Sequence, residues 1–247
     1  DIAEPYIGDF TSQDSIAAMA RSVLAAMPAR FALAGLSMGG YVAMEAMRQA
    51  PERIERLCLL DTSARPDTEQ QTAFRRQMLE QVELGRFKGV TQRMLPLFLH
   101  PRRLEDQAMT GAIMDMAGRV GRDAYVRQQT AIMNRADSRP SLSAIECPTL
   151  VVCGRQDALT PVAMSEEIAR GIPGATLEVV EDCGHMSTME RPDRVTDLMR
   201  RWLEALDLPP ASIRKFRAVI VGIDRREQVR RHLADRGFQA RVVRVAD

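Results

Sequence analysis

The stretch Phe31-Ala32-Leu33-Ala34-Gly35-Leu36-Ser37-Met38-Gly39-Gly40 constrains this chain more than any other part of it. An apolar run leads into Gly35-x-Ser37-x-Gly39, and a helix-forming segment, 41–49, follows without a break. The run reads as a strand and the segment after it as a helix, so the glycines between must carry a very tight turn. Gly35 and Gly39 lack a Cβ, which lets strand and helix approach closely while Ser37 takes a strained conformation at the apex. The hydroxyl then stands clear of the turn, above a helix N-terminus that favours developing negative charge. A serine nucleophile is built this way, whereas the same Gly-x-Ser-x-Gly outside a strand–helix context is an ordinary loop.

Two later segments give Ser37 chemical partners. Residues 150–154, Leu-Val-Val-Cys-Gly, read as a short buried strand ending in Arg155-Gln156-Asp157, with Thr160-Pro161 beyond. Residues 176–180 read as another strand, ending in Asp182-Cys183-Gly184-His185. Ser37, Asp157 and His185 therefore each lie just past the C-terminal end of a strand, and in a parallel sheet those ends share the edge where ligands bind. Each has a plainer reading. Ser37 could be a turn serine, Asp157 the N-cap of a helix beginning near 161, and His185 a satisfied structural histidine. Asp61, at the end of the strand 56–60, is the rival acid, its own plain alternative being a loop-capping carboxylate. His100 and His232 have no comparable setting and read as ordinary surface residues.

With these pieces in this order the chain resembles the α/β-hydrolase superfamily over about residues 15–206. The matching residues are Gly-Leu-Ser-Met-Gly-Gly at 35–40, Cys-Gly-Arg-Gln-Asp at 153–157 and Gly-His-Met-Ser-Thr-Met-Glu-Arg-Pro at 184–192, the last running into a helix at 193–206. The resemblance implies an α/β fold, a mostly parallel sheet flanked by helices, with an inserted helical lid. It implies a cofactor-free serine hydrolase with Ser37 as nucleophile, His185 as general base and Asp157 as the acid that orients and stabilises the imidazolium. Attack on an ester-like carbonyl gives a tetrahedral oxyanion, then an acyl-enzyme that water releases. The backbone N–H of Met38 is the first oxyanion donor, and losing one such donor typically costs about 3 to 4 kcal/mol.

The second donor is where the chain departs from the family. It normally comes from a loop after an early strand, and only a polar loop and a helix at 15–27 precede the strand before Ser37. The tail offers a replacement. After Leu208-Pro209-Pro210 come a strand at 216–222, a helix at 225–234 and another strand at 239–245, a strand–helix–strand unit that suggests a parallel pair. Its last residues would lead into 2–4, so the tail 208–247 reads as completing the core sheet in a circular permutation, with the Ile223 N–H supplying the missing donor. The rival is a partial extra domain, since Val-Ile-Val-Gly-Ile-Asp followed by a helix looks somewhat like the start of a response-regulator receiver. Ten Lys and Arg against four acids in 208–247 raise nucleic-acid contact, but no aromatic platform accompanies them.

The resulting organisation is a core of 1–64 and 140–207, a helical lid at 65–139 and the tail. The lid shows helical patterns at 69–84, 87–95, 104–118 and 122–134, and its methionines (78, 94, 109, 114, 116 and 133) read mostly as packing, with a few suited to an adaptable apolar pocket. With 34 basic and 33 acidic residues, the chain has no charge bias toward polyanions or membranes. No apolar run reaches membrane-spanning length, no signal-peptide pattern opens the chain, and no cluster of metal ligands or Gly-rich phosphate loop is present. Cys58, Cys147, Cys153 and Cys183 read as reduced, buried thiols of a cytoplasmic protein. The expected substrate is a small or medium carboxylic ester, lactone or related acyl compound, with no nucleic-acid or membrane partner. Serine at the turn argues against haloalkane dehalogenases and epoxide hydrolases, which use aspartate there. The alternative is a non-catalytic binding or receptor-like member with an incomplete oxyanion hole.

Overall fold

A parallel sheet covered on both faces favours strands that are apolar throughout, and residues 31–36 and 149–154 supply two of them. The structure, a computed structural model, describes residues 3–204, 216–221 and 241–242. β1 (Ala3–Ile7), α1 (Ile16–Ala26), β2 (Phe31–Leu36), α2 (Met38–Gln49) and β3 (Ile54–Leu60) come first. A helical insertion follows, α3 (Glu69–Glu83), α4 (Leu95–Phe98), α5 (Gln107–Val120) and α6 (Arg122–Met133). The core resumes with β4 (Thr149–Gly154), α7 (Val162–Gly171), β5 (Thr176–Val180), α8 (Ser187–Glu190) and α9 (Pro192–Glu204), and the tail adds β6 (Phe216–Val221) and β7 (Arg241–Val242). The sheet order is β5-β4-β3-β2-β6-β1-β7, and every pairing is parallel.

All six residues of β2 and of β4 are buried, because successive side chains enter different cores. Leu33, Leu57 and Val151 pack with Met19 and Val23 of α1 and Val42 and Met44 of α2. Ala34, Cys58 and Val152 pack on the opposite face with Val195, Leu198 and Trp202 of α9. A third cluster joins the insertion to the core, with Leu95, Leu99, Ile113 and Met116 around Met186, the neighbour of His185.

Several elements differ from the sequence reading. Residues 3–7 form a strand where the sequence suggested a polar loop. Its Glu4 and Pro5 break the apolar pattern, and its extended form comes from pairing with β6 and β7. Segment 87–95 is not helical: Gly89 takes a φ of 60°, and a short 3-10 turn at Gln92–Met94 precedes α4. Helix α5 starts at Gln107 rather than 104, because the Asp106 carboxylate accepts the Met109 N–H at 3.0 Å and caps it. In the tail, β6 inserts between β1 and β2. β7 lies alongside β1, pairing Tyr6 with Arg241, rather than in line with it as a direct run of 245 into 2 would require. The helix expected at 225–234, Ile223 and His232 lie outside the described residues.

Candidate active site

Ser37 sits at the junction of β2 and α2 with φ 54° and ψ −116°, a conformation that costs a non-glycine residue roughly 1–3 kcal/mol. The neighbours enforce it. The Ser37 N–H donates to the Leu60 carbonyl at 2.9 Å, and the Thr62 hydroxyl donates to the Ser37 carbonyl at 2.8 Å. A Cβ on Gly35 would stand 2.2 Å from the Gly39 carbonyl oxygen, so the turn closes only with glycine there. Asp61 and Asp182, with φ of 44° and 49°, are the other non-glycine residues in the left-handed region among the described residues. All three follow the C-terminal end of a strand, on the edge of the sheet that carries the site.

The structure brings Ser37, Asp157 and His185 together. His185 Nε2 is 2.9 Å from Ser37 Oγ, and His185 Nδ1 is 2.8 Å from Asp157 Oδ2. Asp157 Oδ2 also accepts the Thr160 hydroxyl at 2.7 Å, and its Oδ1 accepts the N–H groups of Leu159 and Thr160, both at 2.8 Å. It is therefore an oriented acceptor rather than a cap of α7, whose N-cap is Pro161. Burial opposes charge on both partners. For Asp157 the hydrogen bonds and charge of His185, with Thr160, outweigh it and hold the carboxyl below its usual range. For His185 burial is outweighed by the hydrogen bond and charge of Asp157, helped by Asp61 and Glu190, which raise the imidazole above 6.5.

Asp61, the rival acid, does not reach the imidazole. Its Oδ1 accepts the Gly154 N–H at 3.0 Å, and its Oδ2 accepts the hydroxyl and the N–H of Ser187 at 2.5 and 3.2 Å. It ties the ends of β3 and β4 to the loop that carries His185. Glu190 grips that loop from the other side, accepting the Gly184 N–H at 2.9 Å and the His100 N–H at 2.8 Å. His100 is accordingly buried, its Nδ1 accepting the Arg102 N–H, and is not the surface residue the sequence suggested. Glu190 stood inside the quoted motif 184–192 and Thr160 just beyond 153–157, both without a role. Only spatial pairing distinguishes them from ordinary loop residues.

Burial, opposed by the charge of His185 and the bonds from Ser187 and Gly154, lifts the Asp61 carboxyl to about 7. A carboxyl raised by folding contributes stability that is lost as pH climbs from about 4 through that value. Asp61→Asn should flatten this slope. It should also destabilise the fold by about 1–3 kcal/mol, because one acceptor oxygen is replaced by a donor facing N–H groups. Denaturant melts at several pH values check both.

A cavity of about 490 Å³ opens at this edge, lined by Ser37, Met38 and Leu159 from the core and by Phe74, Met78 and Met94 from the insertion. All four cysteines are free; Cys58, Cys153 and Cys183 are buried, while Cys147 is half-buried. Burial pushes the Cys153 thiol up to about 11 and the Cys183 thiol higher, so neither competes as a thiolate with Ser37. Among the described residues no three His, Cys, Asp or Glu side chains converge to hold a metal ion, and no helix is long and apolar enough to cross a membrane. Ile223 lies outside the described residues. β6 ends at Val221, which is in register with Gly35, two residues before Ser37.

A parallel sheet whose central strand delivers a strained serine to its C-terminal edge, beside a buried histidine, is the architecture of the α/β hydrolases. The chain belongs to this group: the sequence model of the alpha/beta hydrolase family matches residues 4–198. Among curated relatives, the pimeloyl-[acyl-carrier protein] methyl ester esterase of Neisseria meningitidis is 27% identical over 205 residues, 81% of this chain and 78% of that protein. A thermophilic esterase from Thermogutta terrifontis superposes with a TM-score of 0.72 at 32% identity, covering 78% of this chain and 74% of that one. The enol-lactonase from Burkholderia xenovorans LB400 shares the fold at a TM-score of 0.72 and 22% identity, over 82% of this chain and 92% of that one.

Proposed function

We propose that the chain is a serine hydrolase of small or medium carboxylic esters, lactones or related acyl compounds, working through an acyl-enzyme on Ser37. The observation that carries this reading is the continuous chain from Ser37 Oγ, on the wall of the cavity, through His185 to Asp157. Ester-cleaving relatives support it. His185 takes the Ser37 proton as the oxygen attacks the carbonyl, and Asp157 holds the imidazole in the tautomer whose Nε2 is free to accept. The tetrahedral oxyanion is met by the Met38 N–H at the start of α2 and, we propose, by the Ile223 N–H of the loop after β6. His185 then protonates the leaving group and activates the water that releases the acid. The insertion serves as a lid over the cavity, and the tail is part of the hydrolase core.

Labelling with a fluorophosphonate probe tests the reading, with Ser37→Ala as control; no Ser37-dependent label on folded protein would refute it. The pH profile adds a second check. His185 must be neutral to act as base, and its imidazole is raised above 6.5 chiefly by Asp157, against the effect of burial. Activity should therefore rise with pH through a midpoint above 6.5. Asp157→Asn should move that midpoint down and cut kcat by about 10⁴-fold, as loss of the orienting acid does in such triads.

A further inference from the structure

The cavity wall contributed by the insertion carries a cation that the protein neutralises only in part. Arg75 of α3 donates from Nε to Asp67 Oδ2 at 2.7 Å and from Nη1 to Gln129 Oε1 at 2.6 Å. The other oxygen of Asp67 is taken by Arg135 Nη1 at 2.5 Å. Two guanidiniums thus share one carboxylate, and the group keeps a net positive charge. The Asp67 and Arg135 side chains are 1% and 5% exposed, whereas Arg75 is 25% exposed and lines the cavity with Ser37. Arg135 is buried and further engaged: it also donates to the carbonyls of Arg65 and Ile132 and lies over the Tyr41 ring, 4.4 Å from its centroid. Arg75 Nη2, by contrast, has no protein acceptor among the described residues. The cavity's other charged residue, Asp9, sits on the loop after β1, where its Oδ1 accepts the N–H and hydroxyl of Thr11.

An incompletely matched guanidinium in a largely apolar cavity is a costly arrangement unless something anionic completes it. The Nη2 N–H groups of Arg75 remain to donate to a carboxylate, a charge-assisted hydrogen bond to a planar donor. Gln129 adds to it, because its amide oxygen is fixed on Arg75 and its N–H₂ remains as a donor on the same wall. A single excess charge suits a monovalent carboxylate better than a phosphate dianion. We infer that Arg75 and Gln129 form a subsite for a free carboxylate at the far end of the acyl chain. The preferred substrates are then monoesters or lactones derived from dicarboxylic acids, with the scissile carbonyl at Ser37. This inference rests on the hydrolase reading for its reaction, but not for its binding site.

The test compares mono-4-nitrophenyl adipate with 4-nitrophenyl hexanoate, which has the same chain length without the second carboxylate. The wild-type protein should favour the adipate in kcat/KM by about tenfold or more, expressed mainly in KM. Arg75→Gln should bring the ratio close to one. Arg75→Lys, which keeps the ion pair with Asp67 but loses the planar donor, should fall between and guards against loss of folding. A wild-type ratio at or below one, or a ratio unchanged in both variants, overturns the subsite. In parallel, calorimetry on the Ser37→Ala protein should show monomethyl adipate binding about tenfold more tightly than methyl hexanoate, with the difference lost when Arg75→Gln is added. A binding preference without any Ser37-dependent probe labelling would sink the hydrolase reading and leave the subsite standing. Labelling without preference would do the reverse.

Discussion

Ser37→Ala should reduce ester hydrolysis on the order of 10⁴–10⁶-fold while leaving the fold intact. The size of the loss follows from the division of labour at the site. A hydroxyl is a weak nucleophile, and His185 has only that oxygen to activate at 2.9 Å. Without it, the imidazole could still activate a water, but the covalent intermediate that divides the reaction into two easier steps is gone. The thiol nearest His185 in sequence, Cys183, cannot substitute, since burial keeps it protonated. Alanine also fits the strained turn no worse than serine, so thermal stability should change little. Steady-state kinetics with an activated ester, beside a melt, separates the outcomes. A Ser37→Ala protein that retains more than about a hundredth of the rate would place the nucleophile elsewhere.

Deleting residues 210–247 should have the second large effect, the loss of folded, labelling-competent protein. β6 pairs Phe216–Ile220 with Ala3–Ile7 on one side and Ala218–Val221 with Ala32–Gly35 on the other. Removing it strips β1 of its described partners and leaves one edge of the fully buried β2 unpaired. A buried N–H or carbonyl without a partner costs roughly 1–3 kcal/mol, and several together approach the whole stability of a domain, about 5–15 kcal/mol. Circular dichroism, size-exclusion chromatography and probe labelling give the readout. A truncated protein that melts and labels like the full chain would show that the tail is not part of the core, and would favour its reading as a separate domain fragment.

Much of the site was legible because its chemistry demands particular residues at strand ends. Gly35 and Ser37 declared the turn, and the short apolar runs before Asp157 and His185 fixed where those side chains would emerge. The choice of Asp157 over its rival Asp61 rested on the family resemblance rather than on position. Both follow strands on the same edge, and only the reach of each carboxylate toward His185 Nδ1 separates them. The support from Thr160 and Glu190 was hidden for the same reason, since polar loop residues do not announce which backbone groups they will meet. β1 was missed because five residues containing Glu and Pro carry no strand pattern of their own; tertiary pairing overrides weak local preference there. The break at 87–95 was overruled by Gly89 in a left-handed conformation, which an apolar tally does not register.

The place of β6 bears on how the protein is made as well as on how it stands. Its partners in the sheet, Ala3–Ile7 and Phe31–Leu36, leave the ribosome about two hundred residues before β6 does. Until then β2 has one finished side and one bare side, and the helices that will cover it have no complete surface to pack on. Closure between segments so distant in sequence is slow, and open strand edges invite pairing with other chains. Until β6 emerges, the nascent chain therefore carries a slot between β2 and β1. Its yield in a cell will depend on how well chaperones shield that slot until β6 arrives.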